Sequence, residues 1–377
     1  MQRLQVRPKA RLHQYEILIG SGILSDAGLV ARNCLGNRAQ RCAVISNKKI
    51  FQLYGATVLK SLKASGFSVC HWLIGDGERF KSLRTVNQAL DFFSANALER
   101  TDCVVALGGG VVGDVAGFAA AVFFRGVPFI QIPTSLLAQV DSSVGGKTGV
   151  NLPGGKNLVG SFHQPAAVIA DIETLQTLPA RELVAGWCEC VKHGAISSRK
   201  LFKQTTDCLK LSRTAPGLIS LQMEQLIAAH CAFKSAIVAA DEREDPARAD
   251  HRSRRILNFG HTVAHALETV TGYKRFRHGE AVGEGMLVAG ELSKNLGLLN
   301  ETELELLTEA VSLCGPRPSA RDLNQADIAQ AIMHDKKKIA GHVQWVLLEG
   351  IGRPRIVDGK EISARLLRKS MDAVLQR

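Results

Sequence analysis

An α/β domain on a parallel sheet followed by an all-α domain is the fold class this sequence predicts, and three observations carry it. Up to Asp171, short apolar runs alternate with helical patterns, which implies strands joined by crossover helices in one parallel sheet. Directly after the run CVVAL come Gly108, Gly109, Gly110 and Gly113 and then a helix of small residues, an order of strand, glycine turn and helix that is Rossmann-like. From Thr174 onward, apolar residues recur at helical spacing over long stretches. Residues 1–171 are therefore expected to form the α/β domain and residues 172–377 a mainly α-helical one.

At 377 residues the chain is long enough for two domains, each with its own core. A hydrophobic share of 46% with 22% charged residues is that of a soluble globular protein. Nine cysteines, an odd number without a C-x-x-C pair, fit a reducing compartment and offer no disulfide framework. The N-terminus has basic residues but no apolar core leading to a cleavage site, and no apolar run reaches the ~18–20 residues of a membrane span. A cytoplasmic location with no membrane partner is expected. The net charge of +12 raises the question of nucleic acid. Against it, Lys and Arg are dispersed, three Tyr and three Trp leave little to stack on bases, and no recognition helix or RNA-binding signature is present. A small anionic substrate explains the charge as well, and a solvated basic surface needs no partner.

In chain order, residues 11–19 read as a strand closed by glycine, Arg41–Ser46 as a buried strand, and SNKKIFQLYG as a turn into a helix. Ser68–Ile74 reads as a further strand ending at GDGERFKS, before a helix that runs to about Leu98. Glycines 108–110 allow a pyrophosphate to approach the backbone at a helix N-terminus, or mark no more than a tight turn; Asp114 in the first helical turn is a ligand contact or a cap. After a short strand at Phe129–Ile132, the segment 133–162 is expected to be a long functional loop, with Lys147 and Lys156 set among glycines as an anion site. Ala167–Ala170 is the last strand of this part.

Beyond it, Cys188 and Cys190 lie two apart on a helical pattern and so point opposite ways, as packing groups. Glu189 and Lys192, at i and i+3, read by default as a surface ion pair. The stretch LNFGHTVAHALETVTGYKRFRHGEAVG carries His261 and His265 one helical turn apart and His278 after a Gly-Tyr turn. Imidazoles in such number suit a borderline cation such as Zn²⁺ with a carboxylate from elsewhere, although histidines at i and i+4 also serve as packing or capping residues. Near the end, HDKKK is a charge run, HVQWVLLEGIGRPRIV is extended and apolar, and residues 361–375 form a closing amphipathic helix.

Taken together, GDGERFKS, GGGVVGDVAGFAAAVFFRG, IPTSLLAQVDSSVGGKTGVN, GKNLVGSFHQP, CECVKHGAI and LNFGHTVAHALE with HGEAV resemble the 3-dehydroquinate synthases of the shikimate pathway, from about Tyr15 to the C-terminus. The wider group of sugar phosphate cyclases and the glycerol dehydrogenases share this family's fold and its NAD and metal sites. The resemblance implies a cytoplasmic homodimer of aromatic amino acid biosynthesis that uses NAD and one divalent metal, zinc or cobalt, per subunit. Its implied substrate is a small anionic sugar phosphate, 3-deoxy-arabino-heptulosonate 7-phosphate. Oxidation at C5, loss of phosphate, reduction and aldol closure then give 3-dehydroquinate.

Carried over residue by residue, the resemblance implies Glu189, His261 and His278 as metal ligands and leaves His265 to the substrate. Asp141, Lys147, Lys192 and Glu244 are implied around the substrate hydroxyls, with Lys147 close to the oxidised carbon. Asn157, Asn258 and His265 are implied at the phosphate, with Arg125 from a neighbouring subunit and Lys336 or Lys337. Lys234 and Arg254 are implied at the substrate carboxylate; cyclases whose substrates lack that group depart at these two positions. For NAD, the similar positions are Asn47, Glu78, Lys81, Gly110, Asp114, Thr134, Ser135, Lys156, Thr174 and Thr177. Two features depart from the family pattern: the segment DPARADHRS between Glu244 and Arg254 is long, and His193 stands where an aromatic such as Tyr is frequent.

Overall fold

Buried β-branched runs build the sheet that the rest of the molecule leans on. The computed structural model describes residues 14–214, 220–333, 338–339 and 342–376. Its first strands are β1 (Glu16–Gly20), β2 (Arg41–Asn47), β3 (Ser68–Ile74), β4 (Cys103–Gly108) and β5 (Phe129–Pro133). An antiparallel hairpin, β6 (Lys147–Leu152) and β7 (Gly155–Phe162), precedes β8 (Ala167–Asp171). The main sheet has the order β1-β8-β5-β4-β2-β3, and every neighbouring pair is parallel. Strands β4, β5 and β8 are buried along their whole length, as central strands covered on both faces must be. Alternation sorts their side chains: Ala43, Ile45, Val104 and Ala106 pack into one layer, and Cys42, Val44, Val105 and Leu107 into the other.

Helices α1 (Ala27–Leu35), α2 (Lys48–Ile50), α3 (Ala56–Ala64), α4 (Leu83–Ala95) and α5 (Gly110–Val122) make the crossovers. After β2 the chain adds β3 on one side, then returns to place β4 on the other. The strand order therefore reverses between β2 and β4, and the carboxyl ends of these two strands flank the crevice where such sheets bind ligands.

The segment 133–162 is not the loop expected from its glycines. It forms a wide helical turn, Ala138–Ser142, and then the β6–β7 hairpin. The glycines serve close strand packing: a Cβ at Gly149 would lie 2.6 Å from the Val159 carbonyl oxygen, and one at Gly160 would overlap that of Thr148. Gly117 of α5 does the same for the helix, because a Cβ there would meet Thr148 Cγ2 at 2.5 Å.

From Ala180 the chain is mainly helical: α6 (Ala180–Ser197), α7 (Arg199–Thr214), α8 (Ser220–Ala240), α9 (His261–Val270), α10 (His278–Asn295), α11 (Glu301–Leu313), α12 (Gln325–Met333) and α13 (Ala364–Leu375). The expectation of a purely helical second part needs one correction. Strands β9 (Lys338–Ile339), β10 (His342–Leu348) and β11 (Pro354–Asp358) form a small antiparallel sheet. The glycine turn between β10 and β11 sets it, with the amide of Glu349 donating to the Arg353 carbonyl at 2.9 Å. The first strand begins at Glu16, later than the pattern suggested, and α13 begins at Ala364, where Ser363 caps the amide of Leu366. Among the described residues no helix is long and apolar enough to cross a membrane.

Candidate active-site cleft

Glycines press the N-termini of two helices close to the middle of a third, and that packing brings distant residues into one cluster. On α6, Glu189 and Lys192 sit one turn apart and are both buried, so they are not the surface ion pair that their spacing suggested. His261 opens α9 behind Gly260, whose φ of 78° no bulky residue adopts cheaply and whose Cβ would lie 2.8 Å from the Met286 amide. His278 opens α10, where the Arg277 amide donates to Glu280 Oε2 at 2.7 Å. A Cβ on Gly279 would overlap the Ala185 carbonyl of α6, and one on Gly285 would overlap that of Gly260. Gly279→Ala is accordingly expected to cost about 1–3 kcal/mol through overpacking. A lowered urea midpoint and weaker zinc uptake, measured by chelator competition, check that result.

The ligand atoms of Glu189, His261 and His278 all lie within 4.8 Å of one another. His278 Nε2 is 3.7 Å from Glu189 Oε1. His261 Nδ1 faces the Phe259 carbonyl at 3.2 Å, which keeps the proton on Nδ1 and makes Nε2 the basic nitrogen. Among the described residues, the Lys192 ammonium pairs with Oε2 of the buried Glu189 carboxylate, and Oε1, which faces His278, has no hydrogen-bond partner. A buried carboxylate with one unsatisfied oxygen facing two imidazoles is a donor set that fits a zinc-like cation with an open position. Asp141, Glu189 and His193 also have ligand atoms within 4.8 Å, but there Asp141 is already held by the Lys234 ammonium and faces His193.

Asp141 is the hub of a cationic wall. Lys234 donates to its carboxylate and, at 2.6 Å, to its carbonyl; Lys192 Nζ lies 3.9 Å from Oδ2 and His193 Nε2 lies 3.4 Å from Oδ1. Burial alone would raise the Asp141 carboxyl, but Lys192, Lys234 and His193 together hold it well below the usual range. Burial lowers the Lys234 ammonium, and neighbouring Lys192 and Arg254 add to the effect against Asp141. Lys147 opens into the cleft opposite, paired with Glu244; burial again lowers its ammonium. Glu244 Oε1 accepts from Asn258 Nδ2 at 3.2 Å.

The long segment after Glu244 leaves this geometry intact, because Asp241 staples both of its ends. One Asp241 oxygen accepts from the Asp245 amide at 2.8 Å and the other from the Arg254 amide at 2.8 Å, so the intervening residues loop outward. The Arg254 guanidinium is buried and donates to the carbonyls of Gly145 at 2.8 Å and Glu242 at 2.6 Å.

At the other end, the cleft reaches the switch point of the sheet. Cβ atoms on Gly109 and Gly110 would approach Ser135 Oγ at 3.5 Å and Ser142 Oγ at 3.2 Å, so the glycines leave a cradle at the N-terminus of α5. Such a cradle suits a pyrophosphate. Asn47, at the end of β2, accepts from the Ile50 amide at 2.9 Å, while Lys81 pairs with Asp114. Glu78 accepts from Asn151 at 2.8 Å and lies 3.6 Å from Lys156.

The cleft of ≈ 1460 Å³ is lined by Asn47, Glu78, Lys81, Gly110, Asp114, Thr134, Ser135, Lys156 and Thr177 at this end. Asp141, Lys147, Asn157, Lys192, Lys234, Glu244, Arg254, Asn258, His261, His265 and His278 line the remainder. Glu189 lies directly behind the wall. Two expected contacts do not face the cleft. Thr174 is buried, its hydroxyl donating to the Asp171 carbonyl at 2.7 Å and accepting from Gln139 at 3.1 Å. Arg125 sits beyond α5, outside the lining of its own chain. Lys336 and Lys337 lie outside the described residues. One buried carboxylate escaped the sequence reading: Glu268 of α9, which accepts from Lys156 at 2.9 Å and faces His278 Nδ1 at 3.4 Å. Its signal was its place seven residues after His261, on the same helix face.

Residues 71–185 match the family described as 3-dehydroquinate synthase N-terminal, and residues 186–338 match 3-dehydroquinate synthase C-terminal. A 3-dehydroquinate synthase of Synechococcus sp. is 42% identical over 364 residues, covering 96% of each chain. That of Desulforamulus reducens is 43% identical over 345 residues, covering 90% of this chain and 92% of its own. Among solved structures, a 2-deoxy-scyllo-inosose synthase complexed with carbaglucose-6-phosphate, NAD⁺ and Co²⁺ superimposes with a TM-score of 0.82 at 26% identity, covering 95% of this chain and 96% of its own. A 2-epi-5-epi-valiolone synthase from Streptomyces hygroscopicus with NAD⁺ and Zn²⁺ bound gives 0.81 at 25% identity, covering 98% and 99%.

Proposed function

The chain belongs to the 3-dehydroquinate synthase family, and we propose that it converts 3-deoxy-arabino-heptulosonate 7-phosphate to 3-dehydroquinate and phosphate, a carbon–oxygen lyase reaction. The observation that carries this reading is the cleft itself, a glycine cradle at one end, the Glu189, His261 and His278 donors at the other, and a wall of lysines between them. NAD would be held at the glycine cradle and would supply a reversible hydride acceptor, and a zinc or cobalt ion would be held by Glu189, His261 and His278 and would supply Lewis-acid chemistry.

The chain's own residues do the binding and the orienting. Lys147, held by Glu244, presents its ammonium to the substrate hydroxyls, and the lowered proton affinity of that ammonium suits proton transfer. Asp141 fixes Lys192 and Lys234 in place, so these donors are ordered before substrate arrives. Asn157, Asn258 and His265 are assigned to the phosphate, along with Lys336 or Lys337 and with Arg125 from a second copy of the chain in a homodimer. Lys234 and Arg254 are assigned to the substrate carboxylate, and to reach it they must exchange their present partners, Asp141 and the carbonyls of Gly145 and Glu242. Asn47, Glu78, Lys81, Gly110, Asp114, Thr134, Ser135, Lys156, Thr174 and Thr177 are assigned to the nucleotide, Thr174 through its support of Gln139 below the cleft. We assign residues 1–171 to an NAD-binding lobe and residues 172–377 to a metal- and substrate-binding lobe with the active site in the cleft between them, in a cytoplasmic enzyme.

Another sugar phosphate cyclase activity is the second reading, favoured by the likeness to the two solved cyclases. It leaves Lys234 and Arg254 without a carboxylate to bind. Purified protein with NAD⁺ and Zn²⁺ or Co²⁺ is expected to release inorganic phosphate from the heptulosonate phosphate, and EDTA is expected to stop it. Absence of release would refute the reading, and release from sedoheptulose or glucose phosphates instead would favour the second.

A further inference from the structure

We propose that Glu268 is a positioning residue whose buried carboxylate turns the His278 imidazole so that Nε2 faces the metal position. The inference rests on the reading of Glu189, His261 and His278 as metal ligands. Glu268 stands two turns beyond His261 on α9 and is 1% exposed. Its Oε1 lies 3.4 Å from His278 Nδ1 and accepts from Lys156 Nζ at 2.9 Å, while Oε2 is buried with no hydrogen-bond partner. A carboxylate at Nδ1 keeps the ring proton there and leaves Nε2, 3.7 Å from Glu189 Oε1, as the donor nitrogen. His261 has its Nδ1 fixed by a main-chain carbonyl, whereas at His278 the Glu268 side chain stands in that position. The negative charge also raises the basicity of the imidazole as a ligand.

The rival explanation is that Glu268 only offsets Lys156, whose ammonium also lies 3.6 Å from Glu78 and 4.7 Å from the Tyr273 ring centre. A purely structural pair with Lys156 predicts that glutamine, which fills the same volume, leaves metal binding unchanged. The positioning role predicts a graded loss. Zinc affinity by chelator competition is expected to fall roughly 10- to 100-fold in Glu268→Gln and further in Glu268→Ala, and the visible spectrum of the cobalt-loaded protein is expected to shift. Both readouts need no substrate. Wild-type zinc affinity together with an unshifted cobalt spectrum in Glu268→Gln would overturn the proposal, as would a wild-type protein that takes up neither metal. If the wild-type protein binds zinc yet releases no phosphate from the heptulosonate phosphate, the proposed reaction fails while the role of Glu268 stands or falls on the metal measurements alone.

Discussion

Glu189→Gln is expected to strip the protein of its divalent metal and to lower phosphate release by on the order of 10³-fold, since Lewis-acid stabilisation contributes several kcal/mol and each 1.36 kcal/mol is tenfold in rate. The substitution keeps shape and removes charge from a carboxylate that is 0% exposed and faces two imidazoles. It also removes the nearest counter-charge of Lys192, whose ammonium is held above its ordinary value by Asp141 and Glu189 against the effect of burial. Breaking one side of a buried pair typically costs about 3–5 kcal/mol. Asp141 Oδ2 remains 3.9 Å from Lys192 Nζ, which places the expected cost near the lower bound. Metal content, phosphate release and urea unfolding measured on one preparation separate the two effects. Retained zinc with lost stability would leave the pairing intact and remove Glu189 from the ligand set.

Glu189 also marks the limit of what the sequence alone could say about the site. Its i, i+3 relation to Lys192 is the commonest form of exposed helix pair, and nothing in CECVKHGAI reveals that α6 is covered on all sides by α7, α8 and α10. Burial is a tertiary property, so only the family pattern singled out this glutamate. The parallel sheet was legible, because buried strands read as apolar runs whatever surrounds them. The β6–β7 hairpin was not, since its glycines permit turns and close strand contact alike, and the difference lies in the Thr148 and Val159 carbonyls opposite them. The length of the segment after Glu244 was legible while its harmlessness was not. That depends on Asp241 accepting amides from both Asp245 and Arg254. Glu268 escaped because its partners, Lys156 and His278, come from other parts of the chain.

The departure at His193 leads to the second large effect, a loss of stability in mild acid. His193 and His230 are both fully buried, with ring centres 5.6 Å apart. Burial lowers His193 and outweighs the opposing hydrogen bond and charge of Asp141, with Lys192 and Lys234 adding to the lowering. Burial and the charge on His193 hold His230 well below its ordinary value. His230 Nδ1 has no partner, and Nε2 meets only Thr205 Oγ1 at 3.2 Å. In the unfolded chain both rings titrate near pH 6.5. Between that value and their lower native ones, the unfolded state binds more protons, so stability falls as pH falls below about 6.5, by about 1.4 kcal/mol per pH unit for each histidine. His230→Leu leaves the Thr205 hydroxyl bonded to the Leu201 carbonyl at 2.8 Å, so the variant tests the titration without orphaning a donor. Urea unfolding from pH 6.5 downward is expected to give a line for His230→Leu shallower than wild type by about 1.4 kcal/mol per pH unit. Parallel lines would mean that His230 keeps its proton equilibrium on folding, in which case the acid sensitivity must come from His193 and the carboxylate it touches.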